Sequence, residues 1–206
     1  MTKARAVAAA VAAAACFGWS PALHDQSAPA AYRIAPDSRF DVVTGKAGLL
    51  GRFGHEHRIR ARSFTGTIVY NAADPSASSV EVTVPTAGLH VVALGADRED
   101  APDVEKAMRE DVLHVDRWPT IEFRSTAVEP ISGGVRVTGD LTMAGRTRPV
   151  TLDMRLRADG RRLVADGAFT IRQTDWGIEP YRAALGTIRV ADRVTFELHV
   201  VGLATP

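Results

Sequence analysis

The chain reads as all-β with one short helix, an antiparallel eight-stranded β-barrel. Three observations predict an antiparallel sandwich or barrel, of which the strand number favours the barrel: apolar and polar residues alternate with period two, turn-forming residues separate the alternating runs, and the runs recur about every eight to twelve residues. Alternation of this kind belongs to strands with one covered and one wet face, which are antiparallel rather than parallel.

Residues 1–30 stand apart from that pattern. Met1-Thr2-Lys3-Ala4-Arg5 is cationic, and Ala6 to Phe17 runs almost without polarity. A charged start before an apolar stretch of about a dozen residues is the pattern of a secretory signal peptide, and it falls short of the roughly 18 to 20 residues that cross a bilayer. Residues 1–30 are therefore expected to be signal peptide and spacer, and 31–206 the barrel domain of a protein exported to the periplasm or secreted. Small-x-small cleavage sites occur at Ser20-Pro21-Ala22 and at Ala28-Pro29-Ala30. Cys16, behind Ala13-Ala14-Ala15, is a candidate lipid anchor, although the Leu usual before such a Cys is missing. No transmembrane segment is expected.

The strands follow in order. In His55 to Arg62 the odd positions are His, His, Ile and Ala while the even ones are Glu, Arg, Arg and Arg, so one face is charged throughout. The same alternation recurs in Val80–Val84, Ile121–Arg124, Val135–Met143, Val150–Arg157 and Val194–Val200. Reversals fall between them at Asn71 to Pro75, Gly133-Gly134, Ala144-Gly145, Ala158-Asp159-Gly160 and Ala191-Asp192. One segment departs from period two: between Pro102 and Val112 the apolar residues Val104, Met108 and Val112 recur every four positions, as in an amphipathic helix. About eight strands suit a closed barrel, because closure removes exposed edges, and such a barrel is either filled by side chains or holds one small ligand. The expected inward residues are Ile59, Val80, Val82, Val84, Ile121, Phe123, Val137 and Leu141, then Met143, Leu152, Met154, Leu156, Phe169, Ile171, Phe196 and Leu198. Aromatics make up only 6% of the chain, so few of the bulkiest fillers are available.

Composition excludes several functions. With 25 Lys+Arg against 24 Asp+Glu, binding driven by phosphate neutralisation is disfavoured, and no nucleic-acid partner is expected. One Cys rules out an internal disulfide framework. No Gly-x-Ser-x-Gly segment occurs, and the chain is not expected to be an enzyme or to carry a cofactor.

A family resemblance rests on motifs in a fixed order. They are Phe64 to Asn71, Asp74-Pro75, Ser78 to Val84, Met108-Arg109 and Trp118 to Thr126. Val137 to Gly145, Arg148 to Leu152, Gln173 to Ile178 and Val190 to Val194 follow. Together they resemble the YceI family of polyisoprenoid-binding, lipocalin-like exported bacterial proteins over about Tyr32 to Val200. The resemblance implies a lipocalin-like barrel with a helix at one side. It also implies an interior that holds a long isoprenoid-like lipid or quinone with its polar head near the mouth. Many members carry one His in a Lys-His-Leu-Gly type segment; Gly54-His55-Glu56-His57 looks instead like a Gly-His-x-His subgroup.

His55 and His57 lie two apart on one expected strand face, so their rings can meet one polar head group or one metal ion. A third metal ligand would come from His90, His114 or Asp175. The Gln173-Thr174-Asp175-Trp176-Gly177 stretch reads either as a capped turn with Trp as a lid or as a rim that offers a carboxylate and an indole. The expected ligand contacts are thus His55, His57, Ile59, Phe123, Leu141, Met143, Met154, Phe169, Asp175 and Trp176. Two other readings stand beside the carrier: a metal-binding protein using His55 and His57, and a structural or partner-binding envelope protein without a small ligand. Arg146, Arg148, Arg155, Arg157, Arg161 and Arg162 form a basic cluster, read mainly as a solvated outer face and secondarily as a surface for anionic lipid heads.

Overall fold

The computed structural model describes residues 29–47, 56–93, 99–183 and 188–205. Its strands are β1 Ala30–Ile34, β2 Arg39–Ala47, β3 Arg58–Ala61, β4 Thr65–Tyr70, β5 Ser79–Pro85 and β6 Leu89–Val91. They continue as β7 Thr120–Ile131, β8 Gly134–Met143, β9 Arg146–Ala158, β10 Arg162–Arg172, β11 Arg182–Ala183 and β12 Ile188–Ala204.

The strands make eight staves, because the first six pair up as three bent ones. β1 pairs with β4 while β2 pairs with β3, and β4 pairs with β5 while β3 pairs with β6. The chain then goes up and down through β7, β8, β9, β10 and β12. β12 closes the ring. One edge runs along β10 from Arg193 to Leu203, and the other meets β1 near Gly202 and β2 from Arg189 to His199. At the corner between β1 and β2 the Ala35 amide donates to the Val201 carbonyl at 2.7 Å, and buried Ser38 accepts from the Val201 amide at 2.9 Å. The expected antiparallel eight-stranded barrel is therefore the fold, and its first strand begins at Ala30, one residue before the expected domain boundary.

The helix α1, Ala101–Ala107, lies where expected but does not continue as an α-helix. Met108–Val112 winds as a π turn, with the Leu113 amide donating to the Met108 carbonyl at 2.8 Å. The wider turn brings Met108, Val112 and Leu113 all onto the barrel interior. α1 stands where β6 would need a strand neighbour. Glu105 accepts from the Val91 amide at 3.1 Å, Arg109 donates to the Leu89 carbonyl at 2.9 Å, and the two side chains pair with each other at 3.0 Å. Two side chains thus replace a strand's edge.

All sixteen expected inward residues pack inside. Tyr32, Leu163 and Val201, the most completely buried, were not on that list. One half of the barrel is a packed core around Tyr32, Ile34, Val137, Met154, Leu163 and Ala165. Phe40, Phe123 and Phe169 form its upper boundary, since each packs on that core and also lines the space beyond it. Phe169 stacks on its cross-strand partner Phe196 with centroids 4.8 Å apart. Gly139 makes room for Phe123: a Cβ there would lie 2.5 Å from the Phe123 ring.

Outside, the charged face of β3 meets Asp41 on β2. Arg60 grips the buried Asp41 carboxylate with two hydrogen bonds of 2.7 Å, and Arg58 bridges it to Glu197 at 3.0 and 2.6 Å. Burial pushes the Asp41 carboxyl up, but the hydrogen bonds from Arg60 and Arg58 outweigh it and hold the group below its ordinary value. A depressed carboxyl stabilises the fold above its unfolded value, near pH 3.9, and loses that contribution as pH falls through its folded value. Denaturant unfolding across acid pH is expected to show wild type and Asp41→Asn furthest apart above about pH 4 and converging below it. A constant gap would mean that the Asp41 charge contributes nothing.

Candidate ligand cavity

Above the phenylalanine boundary the barrel is hollow. A cavity of about 170 Å³ lies there, walled almost wholly by apolar side chains. Each wall contribution follows from strand parity: Phe40, Val42 and Thr44 from β2, Ile59 and Ala61 from β3, Leu141 and Met143 from β8, Phe169 and Ile171 from β10. The π turn supplies the cover through Met108, Val112 and Leu113. Apolar voids of this order stay dry and accept apolar guests.

Two polar side chains reach the lining, Thr44 and Gln173. Thr44 is occupied by the backbone of His57, accepting from its amide at 3.1 Å and donating to its carbonyl at 3.4 Å. Gln173 donates its amide nitrogen to the Ala191 carbonyl at 2.9 Å, which fixes the side chain and leaves its Oε1 as an acceptor. His57 lies opposite Thr44, and its Nδ1 is buried without a hydrogen-bond partner. A buried ring nitrogen in that state is costly unless something else supplies the bond.

Of the residues expected to meet a ligand, Ile59, Phe123, Leu141, Met143 and Phe169 line the cavity together. His55 lies outside the described residues. Four do not line it. His57 stands opposite Thr44 on the inward parity but is not among the lining side chains. Met154 is buried below the phenylalanine boundary, where it packs over Gly167. Asp175 is exposed on the outside. Trp176 is 3% exposed, but its indole is used structurally, donating from Nε1 to the Leu141 carbonyl at 3.0 Å. The turn reading of this segment is the observed one: Gln173–Trp176 is a 3₁₀ turn closed by Gly177 at φ 71°, and Asp192 accepts from the Thr174 amide and hydroxyl, each at 2.9 Å. Those bonds hold the Asp192 carboxyl below the usual carboxylate range.

The third metal ligands suggested by the sequence do not converge. His90 pairs in register with Arg60 on the outward parity, His114 is exposed after the π turn, and no group of three metal-ligating side chains occurs among the described residues. Sequence reasoning missed Gln173, Thr44 and the cover from Leu113. Gln173 sat inside a segment read as a turn, and Thr44 belongs to β2, a strand that the alternation search did not pick out.

Fold and cavity together define a closed antiparallel barrel of the lipocalin-like type with an apolar interior at one end. The YceI-like domain family matches residues 35–202, and the chain belongs to that family. A UPF0312 protein of Pseudomonas paraeruginosa is 30% identical over 141 residues, 66% of each chain, so the match spans just under two thirds of that relative. Protein YceI of Escherichia coli is 31% identical over 99 residues, 48% of each chain. Among solved structures, BcnA of Burkholderia cenocepacia superposes with a TM-score of 0.64 at 20% identity, covering 80% of this chain and 95% of that one. The Campylobacter jejuni YceI protein gives 0.55 at 17% identity, covering 72% and 84%. At these identities the structures establish the shared fold.

The walls of the void lack partner atoms on its side, so a side chain that fills it should stabilise the protein. Ala61→Leu, which adds bulk where the wall faces the void, is expected to raise the unfolding free energy by about 0.5–2 kcal/mol in urea titrations. A loss of about 1–3 kcal/mol, the usual cost of overpacking, would show that the space is already filled.

Proposed function

We propose that this protein is an exported, non-enzymatic carrier that holds an isoprenoid-like or quinone-like apolar ligand in the hollow half of its barrel. The observation that carries the proposal is the contrast between the two halves: the fold packs one densely and leaves about 170 Å³ in the other, walled by apolar groups. Membership of the YceI-like family supports the same reading.

Binding is driven by burial of the hydrocarbon, worth about 0.8 kcal/mol per methylene. Met108 and Met143 suit this role, because unbranched thioethers re-pack around irregular chains. A long chain fills the cavity and continues past its mouth. The polar head lies at the end where Gln173 and His57 sit. Gln173 Oε1 accepts from a hydroxyl head, and the His57 ring with its neighbour His55 supplies further polar contact. Met154, Asp175 and Trp176 take no part in this reading.

Native mass spectrometry and organic extraction of the full chain purified from its own host test the proposal. A long-chain lipid released from the protein is the expected result. Repeated recovery of ligand-free protein that also fails to take up added prenol would overturn it.

A further inference from the structure

The hollow half has a split in its wall. β9 and β10 are hydrogen-bonded from Ala158↔Leu163 to Met154↔Gly167, and there the ladder stops, although both strands continue. Beyond it β9 pairs only with β8, and β10 only with β12. The threonines confirm the separation. Thr151 bonds Thr138 on β8 and Thr170 bonds Thr195 on β12, each at 3.0 Å, and neither reaches across. Pro149 has no amide to donate, as suits a strand edge without a partner.

A groove of about 360 Å³ occupies the split on the outside, floored by Phe169 and Ile171. These same two side chains line the internal cavity, so the wall here is one side chain thick. Trp176 wedges into the groove and is held by its hydrogen bond to the Leu141 carbonyl. At the break between β6 and β7 the polar bonds of Glu105 and Arg109 tie the helix to the edge of β6.

The rim of the split is cationic. Arg172 and Arg193 line the groove, and Arg148 lies beside it with Nε 3.3 Å from the Asp175 carbonyl. None of the three forms an ion pair among the described residues. Asp175 is the single acid in the groove lining; Asp192 on its flank is engaged by Thr174 and also feels the charge of Arg172, which leaves the rim net cationic. The basic cluster seen in the sequence is thus divided: Arg148 reaches this rim, whereas Arg162 pairs with Asp37 at 2.7 Å.

We propose that the split between β9 and β10 is the lateral route by which the apolar ligand enters and leaves, and that its arginine rim docks on an anionic lipid bilayer. The proposal rests on the carrier reading above. An anionic membrane surface attracts guanidiniums, and docking there sets the thin wall of Phe169, Ile171 and Trp176 against the acyl region. The ligand then moves between two apolar phases without crossing water.

The test uses farnesol in phosphatidylcholine vesicles, with or without phosphatidylglycerol, mixed with the full chain or its Arg148→Glu/Arg172→Glu/Arg193→Glu variant. Farnesol in the separated protein fraction is followed with time. Wild type is expected to load at least about tenfold faster from the anionic vesicles, and the variant to lose that advantage. The variant should still reach the wild-type extent from neutral vesicles, which shows that its cavity is intact. Trp176→Phe, which keeps an aromatic ring but is smaller and loses the bond to Leu141, should load faster from both vesicle types. Loading by the triple variant at the wild-type rate from anionic vesicles would overturn the docking face, and unchanged rates in Trp176→Phe would overturn the route. A wild type that takes up no farnesol from either vesicle would overturn the carrier reading itself, and the route with it.

Discussion

The rest of the structure depends on ring closure by β12. Its seventeen residues satisfy β10 on one edge and both β1 and β2 on the other, which a single strand can do only because the chain bends at Ala35–Ser38 and locks to Val201 there. Closure joins the eight staves into one ring, interrupted only at the β6–β7 seam and along the upper part of β9 and β10 among the described residues, and sets the lumen width independently of what fills it. In the lower half Tyr32, Leu163 and their neighbours match that width. In the upper half the inward residues pack against their neighbours in the wall but leave a space at the centre, and among the described residues the π turn and its Leu113 cover it.

A void held open by a backbone ring differs from one left by poor packing. Its walls cannot collapse without breaking the ladders, so the cost of the missing contacts persists until a guest supplies them. The phenylalanine layer of Phe40, Phe123 and Phe169 sets the depth, with Gly139 yielding the space that Phe123 needs. The same half of the barrel also carries the helix beside β6 and the split between β9 and β10.

Much of this was readable in the residues. Period-two alternation located the inward faces of β8 and β9 because each strand has one wet side, and the fourfold spacing of Val104, Met108 and Val112 located the helix. What could not be read depends on contacts between strands distant in sequence. Nothing local in Met154 separates it from Met143, yet one lies in the packed half and the other on the cavity. Trp176 and Asp175 share a turn, and only the position of that turn against β8 decides that the indole is buried and bonded to Leu141 while the carboxylate stays in water. The π turn was equally hidden, since α and π winding differ by one residue per turn and apolar spacing alone does not distinguish them over so short a segment. Gln173 carried no signal until Ala191, eighteen residues on, fixed its amide.

The central claim is that the barrel holds one apolar guest to a depth limited by the phenylalanine layer. Calorimetric affinities for a series of n-alkanols of increasing length test it most directly. Binding should strengthen by about 0.8 kcal/mol per methylene until the chain reaches Phe40, Phe123 and Phe169, and then level off. Affinity that is absent, or that does not depend on chain length, would contradict it.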